Sequence, residues 1–272
     1  MIAEAANSDW PLEDRGVAYG DGLFETVLVR DGTPLLWEQH LARLARGCRV
    51  LRIPLPAREH LEAPLVEAGE GLSVLKLILT RGSGGRGYAP PDTPAPQLRW
   101  RLGPFVPSAE RWREGVRVRH CRLRLGTQPL LAGLKHLNRL ENVLARAEWS
   151  DADTAEGLVC DSEGRLVEAT CMNLFWQRDG VLETPRLDRC GVAGTLRAAL
   201  LERAPIREVE AFPAVLDEVE ALWLGNSLQG LWPVARLDDP EGNPLRHWSV
   251  GPLHRPLQAL AHEALGHPAF TQ

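Results

Sequence analysis

The change of hydrophobic period over the first eighty residues constrains the fold most. Leu23–Arg30 is rich in Val, Leu, Phe and Thr and predicts a strand, and Asp31-Gly32 after it predicts a hairpin turn. From Trp37 the apolar residues recur at spacings of three and four, which predicts a helix with one apolar face that ends before Pro54. Leu72–Thr80 returns to a strand pattern. Strands and helices therefore mix at close range, without the strict alternation of a doubly wound sheet, and predict an α+β (mixed α/β) fold.

The length of 272 residues corresponds to two compact units at ~150 residues per domain. The polar, proline-flanked stretch after residue 105 is the best linker, so we predict a smaller N-terminal α/β domain (1–105), a linker (106–114) and a larger C-terminal domain (115–272). Small-molecule sites favour the cleft between two such units. The remaining predicted helices are 57–68, 137–149, 196–203 and 251–265, and the remaining predicted strands are 97–102, 116–125, 157–160, 165–167, 173–177 and 221–224.

Composition excludes several classes of function. The net charge is −5 and no basic block occurs, so nucleic acid is not an expected partner. The longest apolar runs are far shorter than the ~18–20 residues of a spanning helix, so no membrane is expected either. The five cysteines form no CxxC pair and HExxH is absent, which predicts reduced thiols and no metal site. Met1–Trp10 has no apolar signal segment, and we predict a cytoplasmic protein.

The run Gly82–Gly87 fits the GxGxxG pattern of dinucleotide-binding proteins and follows a predicted strand. The pattern also requires a helix that opens at once, and Pro90 and Pro91 exclude that helix. We therefore predict a mobile glycine loop. It is either a plain surface loop or one wall of an anion-binding cleft, together with Arg81, Arg86 and Tyr88.

Only two of the 31 basic residues are lysines, so each lysine requires a reason. Lys76 lies within a predicted strand, where we expect a dispensable polar position on a half-solvated face; a second catalytic group is the minority alternative.

Lys135 precedes a helix predicted from Asn138, because Asn138 and Glu141 have nearly the spacing of a capping box. The helix dipole and burial would both disfavour its charged form, and such an amine can form a Schiff base and carry protons. The alternative for Lys135 is an ordinary surface lysine.

Several longer motifs resemble the fold-type IV pyridoxal-phosphate enzymes, which include branched-chain aminotransferases, D-amino-acid aminotransferases and aminodeoxychorismate lyases. The resemblance extends from about Arg15 to about Val234. The lysine segment Lys135–Glu141 and the glycine loop are similar to the lyases in particular. The motifs that carry the resemblance are Tyr19–Thr26, His40–Leu44, Lys135–Glu141, Glu168–Phe175 and Gly191–Arg197.

The resemblance implies a two-domain fold-type IV architecture with pyridoxal 5'-phosphate in the interdomain cleft. It implies that Lys135 is the catalytic residue and binds the cofactor covalently, and that Glu168 faces the pyridine nitrogen and keeps it protonated. Thr195 stands where many members of the family have an aliphatic residue, but its backbone amide would be unaffected. The implied phosphate contacts are Arg43, the helix start at Thr195 and Leu196, and Asn226 or Ser227.

The implied activity is that of the lyase branch, which converts 4-amino-4-deoxychorismate to 4-aminobenzoate and pyruvate on the way to folate. The alternatives are a transaminase of the same fold acting on D- or branched-chain amino acids, and a binding protein that kept the fold without the cofactor. The resemblance also implies a homodimer with a small-molecule substrate. The candidates to bind the substrate carboxylates are Arg81, Arg86, Tyr88 and Arg139.

Overall fold

The computed structural model describes residues 3–4 and 10–268. Contacts divide the chain into two compact units: Met1–Val106 with Leu134–Arg139, and Pro107–Gly133 with Leu140–Gln272. The segment that carries Lys135 thus belongs to the first unit, although it lies far along the chain. The predicted domain limits stay a prediction, and the second half of the predicted linker is a helix.

The first unit is a five-stranded sheet with helices. Its strand order is β1-β5-β4-β2-β3, and every pairing except that of β1 with β5 is antiparallel. A 3-10 helix, Ala63–Glu67, follows the third α-helix. The elements are β1 (Ala3–Glu4), α1 (Arg15–Tyr19), β2 (Gly22–Arg30), β3 (Thr33–Pro34), α2 (Trp37–Leu51), α3 (Arg58–Glu62), β4 (Leu72–Thr80) and β5 (Gln97–Pro104).

One face of this sheet packs against α2. The turn between β2 and β3 is built by Asp31 and Gly32, whose φ angles of 48° and 77° suit the two-residue hairpin that the sequence predicts. Alternate residues of β2 and β4 face inward and meet the apolar side of α2. The buried core of the unit is Leu23, Val27, Val29, Trp37, Leu44, Cys48, Ile53, Leu61, Leu75, Leu77, Leu79 and Leu98.

The second unit is built on a nine-stranded mixed sheet in the order β11-β10-β9-β12-β13-β6-β7-β8, with β14 paired to β13. Two 3-10 helices, Pro213–Asp217 and Pro252–His254, complete it. The elements are α4 (Ala109–Glu114), β6 (Val116–Leu125), α5 (Leu140–Arg146), β7 (Thr154–Asp161), β8 (Leu166–Ala169), β9 (Asn173–Arg178), β10 (Val181–Pro185), α6 (Thr195–Arg203), β11 (Ile206–Val209), β12 (Ala221–Asn226), β13 (Gly230–Asp238), β14 (Pro244–His247) and α7 (Arg255–Ala264).

The predicted α+β class is confirmed, and two predicted strands, Leu72–Thr80 and Val116–Leu125, have the predicted bounds. Three predicted helices are shorter than expected. The last of them, predicted over 251–265, is a 3-10 helix followed by α7. Pro64 converts the second half of the predicted helix 57–68 into a 3-10 helix, and α5 begins at Leu140 instead of Leu137. The strands β10, β11, β13 and β14 were not predicted from the sequence.

Within residues 3–4 and 10–268, no helix is long and apolar enough to cross a membrane. The same part of the chain contains no cluster of three or more His, Cys, Asp or Glu side chains that could hold a metal ion. All five cysteines are free thiols, and Cys171 alone among them is exposed.

Candidate active site

Lys135 is fixed by backbone hydrogen bonds to β2. The N–H of Phe24 donates to the carbonyl of Lys135 at 2.9 Å, and the N–H of Leu137 donates to the carbonyl of Gly22 at 3.0 Å. The half-buried side chain of Lys135 places Nζ 4.4 Å from the centroid of the Phe24 ring. The short segment around Lys135 therefore pairs with the first residues of β2, and the ammonium lies against an aromatic face.

The structure corrects the predicted helix start. The helix α5 begins at Leu140, two residues after Asn138, and Nδ2 of Asn138 donates to the carbonyl of Gly20 at 2.9 Å. Glu141 is also engaged elsewhere, as its Oε1 accepts the N–H of Gly126 at 2.8 Å. Lys135 accordingly lies in an extended segment five residues before α5, and the dipole argument made from the sequence does not apply to it.

Beneath β2, Glu25 and Arg43 form a buried ion pair. Nε of Arg43 donates to Oε1 of Glu25 at 2.9 Å, and Nη2 donates to Oε2 at 2.5 Å. Nδ1 of His40 lies 2.6 Å from the same Oε2. The Glu25 side chain is 2% exposed and that of Arg43 is 9% exposed. The bidentate geometry predicted for Arg43 thus exists, but a carboxylate occupies one edge of the guanidinium.

The charges in this cluster determine the protonation of Glu25 and His40. Burial alone would raise the pKa of Glu25, but the charge of Arg43 and the hydrogen bonds from Arg43 and His40 lower that pKa to about 2. Burial lowers the pKa of His40, in spite of its contact with Glu25. Glu25 uses two of the five N–H donors of Arg43, and the phosphate contact of Arg43 stays a prediction.

Arg81 is buried in a network that starts at Asp21. Its Nε and Nη2 donate to the two carboxylate oxygens of Asp21 at 2.7 and 2.9 Å. It also donates to the carbonyls of Arg52 and Leu51, at 3.0 and 2.8 Å. Burial raises the pKa of Asp21, but the hydrogen bonds and charges of Arg81 and Arg15 outweigh burial and lower it. These contacts favour a structural role for Arg81, and its role in substrate binding stays a prediction.

The glycine loop is bridged by one buried guanidinium, that of Arg15, and the mobility of the loop stays a prediction. Gly82 has a φ of 85°, and a Cβ there would lie 1.9 Å from the carbonyl oxygen of Ala95, so glycine is required. No helix occurs between residues 81 and 96, as the two prolines predict. Arg15 crosses the loop and donates to the carbonyls of Gly84, Gly87, Tyr88 and Ala89.

The other substrate-binding candidates of the first unit differ in their exposure. Arg86 is exposed, and Tyr88 is 87% exposed with its ring 5.4 Å from that of Tyr19. Arg139 is half-buried, and its guanidinium contacts the His136 ring and donates to the His136 carbonyl at 3.0 Å. Burial and the nearby charge of Arg139 lower the pKa of His136 to about 4. The contacts of these candidates with substrate stay predictions.

In the second unit, Glu168 lies on β8 with only 4% of its surface exposed. Its Oε2 accepts the N–H of Val192 at 2.8 Å. The turn after β8 is held by Glu156, which accepts hydrogen bonds from the N–H of Thr170 at 3.0 Å and from Sγ of Cys171 at 2.7 Å. Burial raises the pKa of Glu156. The carboxylate of Glu168 is thus oriented by a backbone amide and by a firmly anchored turn.

The start of α6 is shaped by Asn173. Oδ1 of Asn173 accepts the N–H of Gly194 at 3.1 Å, and its Nδ2 donates to the carbonyl of Val192 at 2.9 Å. A Cβ at Gly194 would lie 2.0 Å from that Oδ1, so only glycine fits. Ala198 makes the first intrahelical hydrogen bond of α6, and the N–H groups before it, including those of Thr195 and Leu196, point out of the helix end.

Asn226 ends β12 and closes a turn. Its Oδ1 accepts the N–H groups of Leu228 and Gln229, at 3.0 and 2.8 Å. The side-chain oxygen of Asn226 is therefore used in the turn, and its neighbour Ser227 is half-buried at the same strand end. Nδ2 of Asn226 donates to the carbonyl of Cys171 at 3.4 Å. Which of the two residues contacts the phosphate stays a prediction.

Sequence reasoning missed Glu25, His40, Phe24 and Asn173. A signal for the first two was present. Glu25 shares the inward parity of Leu23 and Val27 on β2, so a buried acid was predictable, and His40 and Arg43 are three residues apart on one helix face. The contact of Phe24 with Lys135 had no local signal, because more than a hundred residues separate them.

The chain matches a known protein family over most of its length. The family model for amino-transferase class IV matches residues 22–237, which include Lys135, Glu168 and the start of α6. The chain belongs to the class IV aminotransferase family. The fold-type IV resemblance read from the motifs is thereby confirmed.

Within the class IV aminotransferases, the chain is 35% identical over 259 residues to an aminodeoxychorismate lyase of Vibrio harveyi, covering 91% of this chain and 94% of that protein. The crystal structure of 4-amino-4-deoxychorismate lyase from Pseudomonas aeruginosa has 50% identity and a TM-score of 0.87, with 94% of this chain and 96% of that chain covered. A putative branched-chain-amino-acid aminotransferase of Methanocaldococcus jannaschii is 28% identical over 260 residues, or 90% of this chain and 87% of that protein.

Proposed function

We propose that this protein is an aminodeoxychorismate lyase, which converts 4-amino-4-deoxychorismate to 4-aminobenzoate and pyruvate on the way to folate. The similarity to the Pseudomonas aeruginosa lyase, 50% identity over 94% of the chain, carries this proposal. The similarity to the Vibrio harveyi lyase, over nearly the full length of both chains, supports it. A transaminase is the alternative, and the lower identity to the putative aminotransferase gives it less support.

The residues present fit pyridoxal 5'-phosphate. The cofactor needs an amine, a carboxylate for its ring nitrogen and a cradle of donors for its phosphate. Lys135 supplies the amine, and Glu168 is a carboxylate that is already oriented by an amide. Gly194, where a Cβ would clash with Asn173, allows the close packing that fixes the start of α6, and the first amides of that helix supply the donors. The phosphate would be held by Arg43, Thr195, Leu196 and either Ser227 or Asn226.

When bound, the cofactor supplies an electron sink for the substrate carbon that loses its proton. Nζ of Lys135 removes that proton from the ring carbon that carries the nitrogen. The C–O bond to the enolpyruvyl group breaks, and the substrate ring becomes aromatic. The Lys135 ammonium then donates a proton to the departing group, which leaves as pyruvate. Glu168 keeps the pyridine nitrogen protonated during these steps.

A coupled assay for pyruvate and 4-aminobenzoate tests the proposal directly. The wild-type protein should form both products in equal amounts, and Lys135→Ala should abolish turnover and the visible absorbance of the bound cofactor. Arg49→Ala, an exposed cation of α2, is the control and should retain both. Amino-group transfer from amino donors to keto acids without release of 4-aminobenzoate would identify the transaminase instead.

We also propose a homodimer, supported by an apolar stripe on α5. Leu140, Val143 and Leu144 are 77%, 60% and 61% exposed and lie on one helix face. A second copy of this chain, related by a twofold axis, would cover the stripe on both copies.

Light scattering should give the dimer mass for the wild type and the monomer mass for Leu144→Glu. Leu245→Glu, at an exposed position of β14, is the control and should remain dimeric. A monomeric wild-type protein would contradict this assembly.

The cytoplasm is the compartment that we propose for this enzyme. The five free thiols support it, because disulfides form and persist mainly in oxidising compartments. Fractionation of cells that express a labelled full-length chain would test it, and recovery of the label outside the cytoplasm would contradict it.

A further inference from the structure

We propose that Lys76, together with Arg101, forms a carboxylate-binding site beside Lys135 for the substrate of the lyase reaction. The inference rests on the proposed function for the identity of the ligand. It reverses the expectation from the sequence that Lys76 is dispensable.

The first observation is that both lysines of the chain contact the same ring. Nζ of Lys76 lies 5.3 Å from the centroid of the Phe24 ring, and Nζ of Lys135 lies 4.4 Å from it. Phe24 and Lys76 come from the neighbouring strands β2 and β4, and Lys135 is hydrogen-bonded to Phe24 through its backbone. A protein that covers its surface with arginine has thus placed its only two amines around one aromatic side chain.

The second observation is the charge of the sheet face that carries Lys76. Glu25 points to the opposite, buried face with His40 and Arg43. Lys76 stands directly opposite Arg101 on β5, and like charges in that position destabilise a sheet. The charged side chains that β2, β4 and β5 direct to this face are all cations: Arg30, Lys76, Arg99 and Arg101.

No carboxylate in the part of the chain that the structure describes forms an ion pair with Lys76 or Arg101, and both are exposed. An exposed pair of like charges without an acid has no structural benefit, but it attracts an anion. The lyase substrate carries two carboxylates and must bring its amine-bearing carbon to Lys135. A carboxylate bound at Lys76 and Arg101 would place the rest of the substrate next to Phe24, on the side where Lys135 lies.

The test compares Lys76→Ala, Lys76→Arg and the control Arg49→Ala in the holoenzyme. Arg49 is an exposed cation on α2, on the other side of the sheet. Three quantities are measured for each protein: the KM and the kcat of the lyase reaction, and the Kd of chorismate by calorimetry. Chorismate has both carboxylates but lacks the 4-amino group, so it reports carboxylate binding without reaction.

We expect Lys76→Ala to raise KM and the chorismate Kd at least tenfold while kcat changes less than threefold. Lys76→Arg and Arg49→Ala should stay within threefold of the wild type in all quantities. Unchanged KM and Kd in Lys76→Ala would overturn the inference and leave the lyase function intact, and so would a loss confined to kcat. If the wild type forms no 4-aminobenzoate, the proposed function fails, and the effect of Lys76→Ala on chorismate binding still decides the carboxylate site.

Discussion

The two units position their site residues by different means. In the first unit, buried ion pairs fix the guanidinium groups: Glu25 holds Arg43, and Asp21 holds Arg81. In the second unit, backbone hydrogen bonds and close packing fix the site residues. The N–H of Val192 donates to Glu168, and Gly194 packs closely against Asn173. The difference predicts that removal of a charge disturbs the site residues of the first unit most, whereas added side-chain volume disturbs those of the second unit most.

Removal of the carboxylate under β2 should have the largest effect on stability. Glu25→Ala leaves Arg43 and His40 buried without their acceptor, and breaking a buried pair in this way costs about 3–5 kcal/mol of the free energy of unfolding. Urea denaturation measures the loss. Glu241→Ala, which breaks the exposed pair with Arg122, should cost less than about 1 kcal/mol. Equal effects of the two variants would refute the contrast between buried and exposed pairs.

A methyl group at the start of α6 should have the next largest effect. Gly194→Ala places a Cβ where Oδ1 of Asn173 now lies, and overpacking of this kind costs about 1–3 kcal/mol. If the amides there bind phosphate, the Kd of pyridoxal phosphate should rise roughly tenfold, since ~1.4 kcal/mol corresponds to a factor of ten. Gly251→Ala, where no atom lies within 4 Å of the added Cβ, is the control and should leave both quantities unchanged.

We also predict a stepwise dependence of stability on pH. Burial lowers the pKa of His136 and His254 to about 4, so the unfolded chain binds protons first and stability falls as pH drops from 6.5 towards 4. The pKa of Glu25 is lowered from 4.5 to about 2, so its contribution is present above pH 4.5 and is lost between pH 4.5 and 2. The urea midpoint against pH measures both steps, and Glu25→Gln should weaken the lower step and leave the upper one unchanged. A midpoint that is constant from pH 6.5 to 4 would exclude the histidine contribution.

Local patterns predicted those elements whose period is clear, such as β2, β4 and α2. They failed at β13, because Pro233 and the glycine that opens the strand are typical of loops. In the structure both residues pair in regular register with β12, and the register shift against β6 comes after them, between Val234 and Arg236. They also failed at the start of α5, because Asn138 binds the carbonyl of Gly20, more than a hundred residues away. Contacts between distant parts of the chain are not visible in a local pattern.

The site residues show the same contrast between what a local motif predicts and what only contacts between distant residues determine. Lys135 and Glu168 were predicted because the motifs around them are long and specific. The inward position of Glu25 could have been read from strand parity alone. The network from Asp21 to Arg81 could not, because it depends on which carbonyl groups the fold brings to one guanidinium. Exposure likewise separates Arg86, inside the glycine run, from the buried Arg81 just before it.

The backbone pairing of the Lys135 segment has a consequence for solubility. On the side of β2 away from β4, β3 pairs only with Val29 and Arg30, and the Lys135 segment pairs with the first residues of the strand. Without that segment, this stretch of β2 would present unpaired N–H and C=O groups, which are a template for aggregation between chains. Truncation or displacement of the segment would therefore reduce the solubility of the chain and also remove the Lys135 amine from its place. Selection for either property would preserve the segment and thereby the other property.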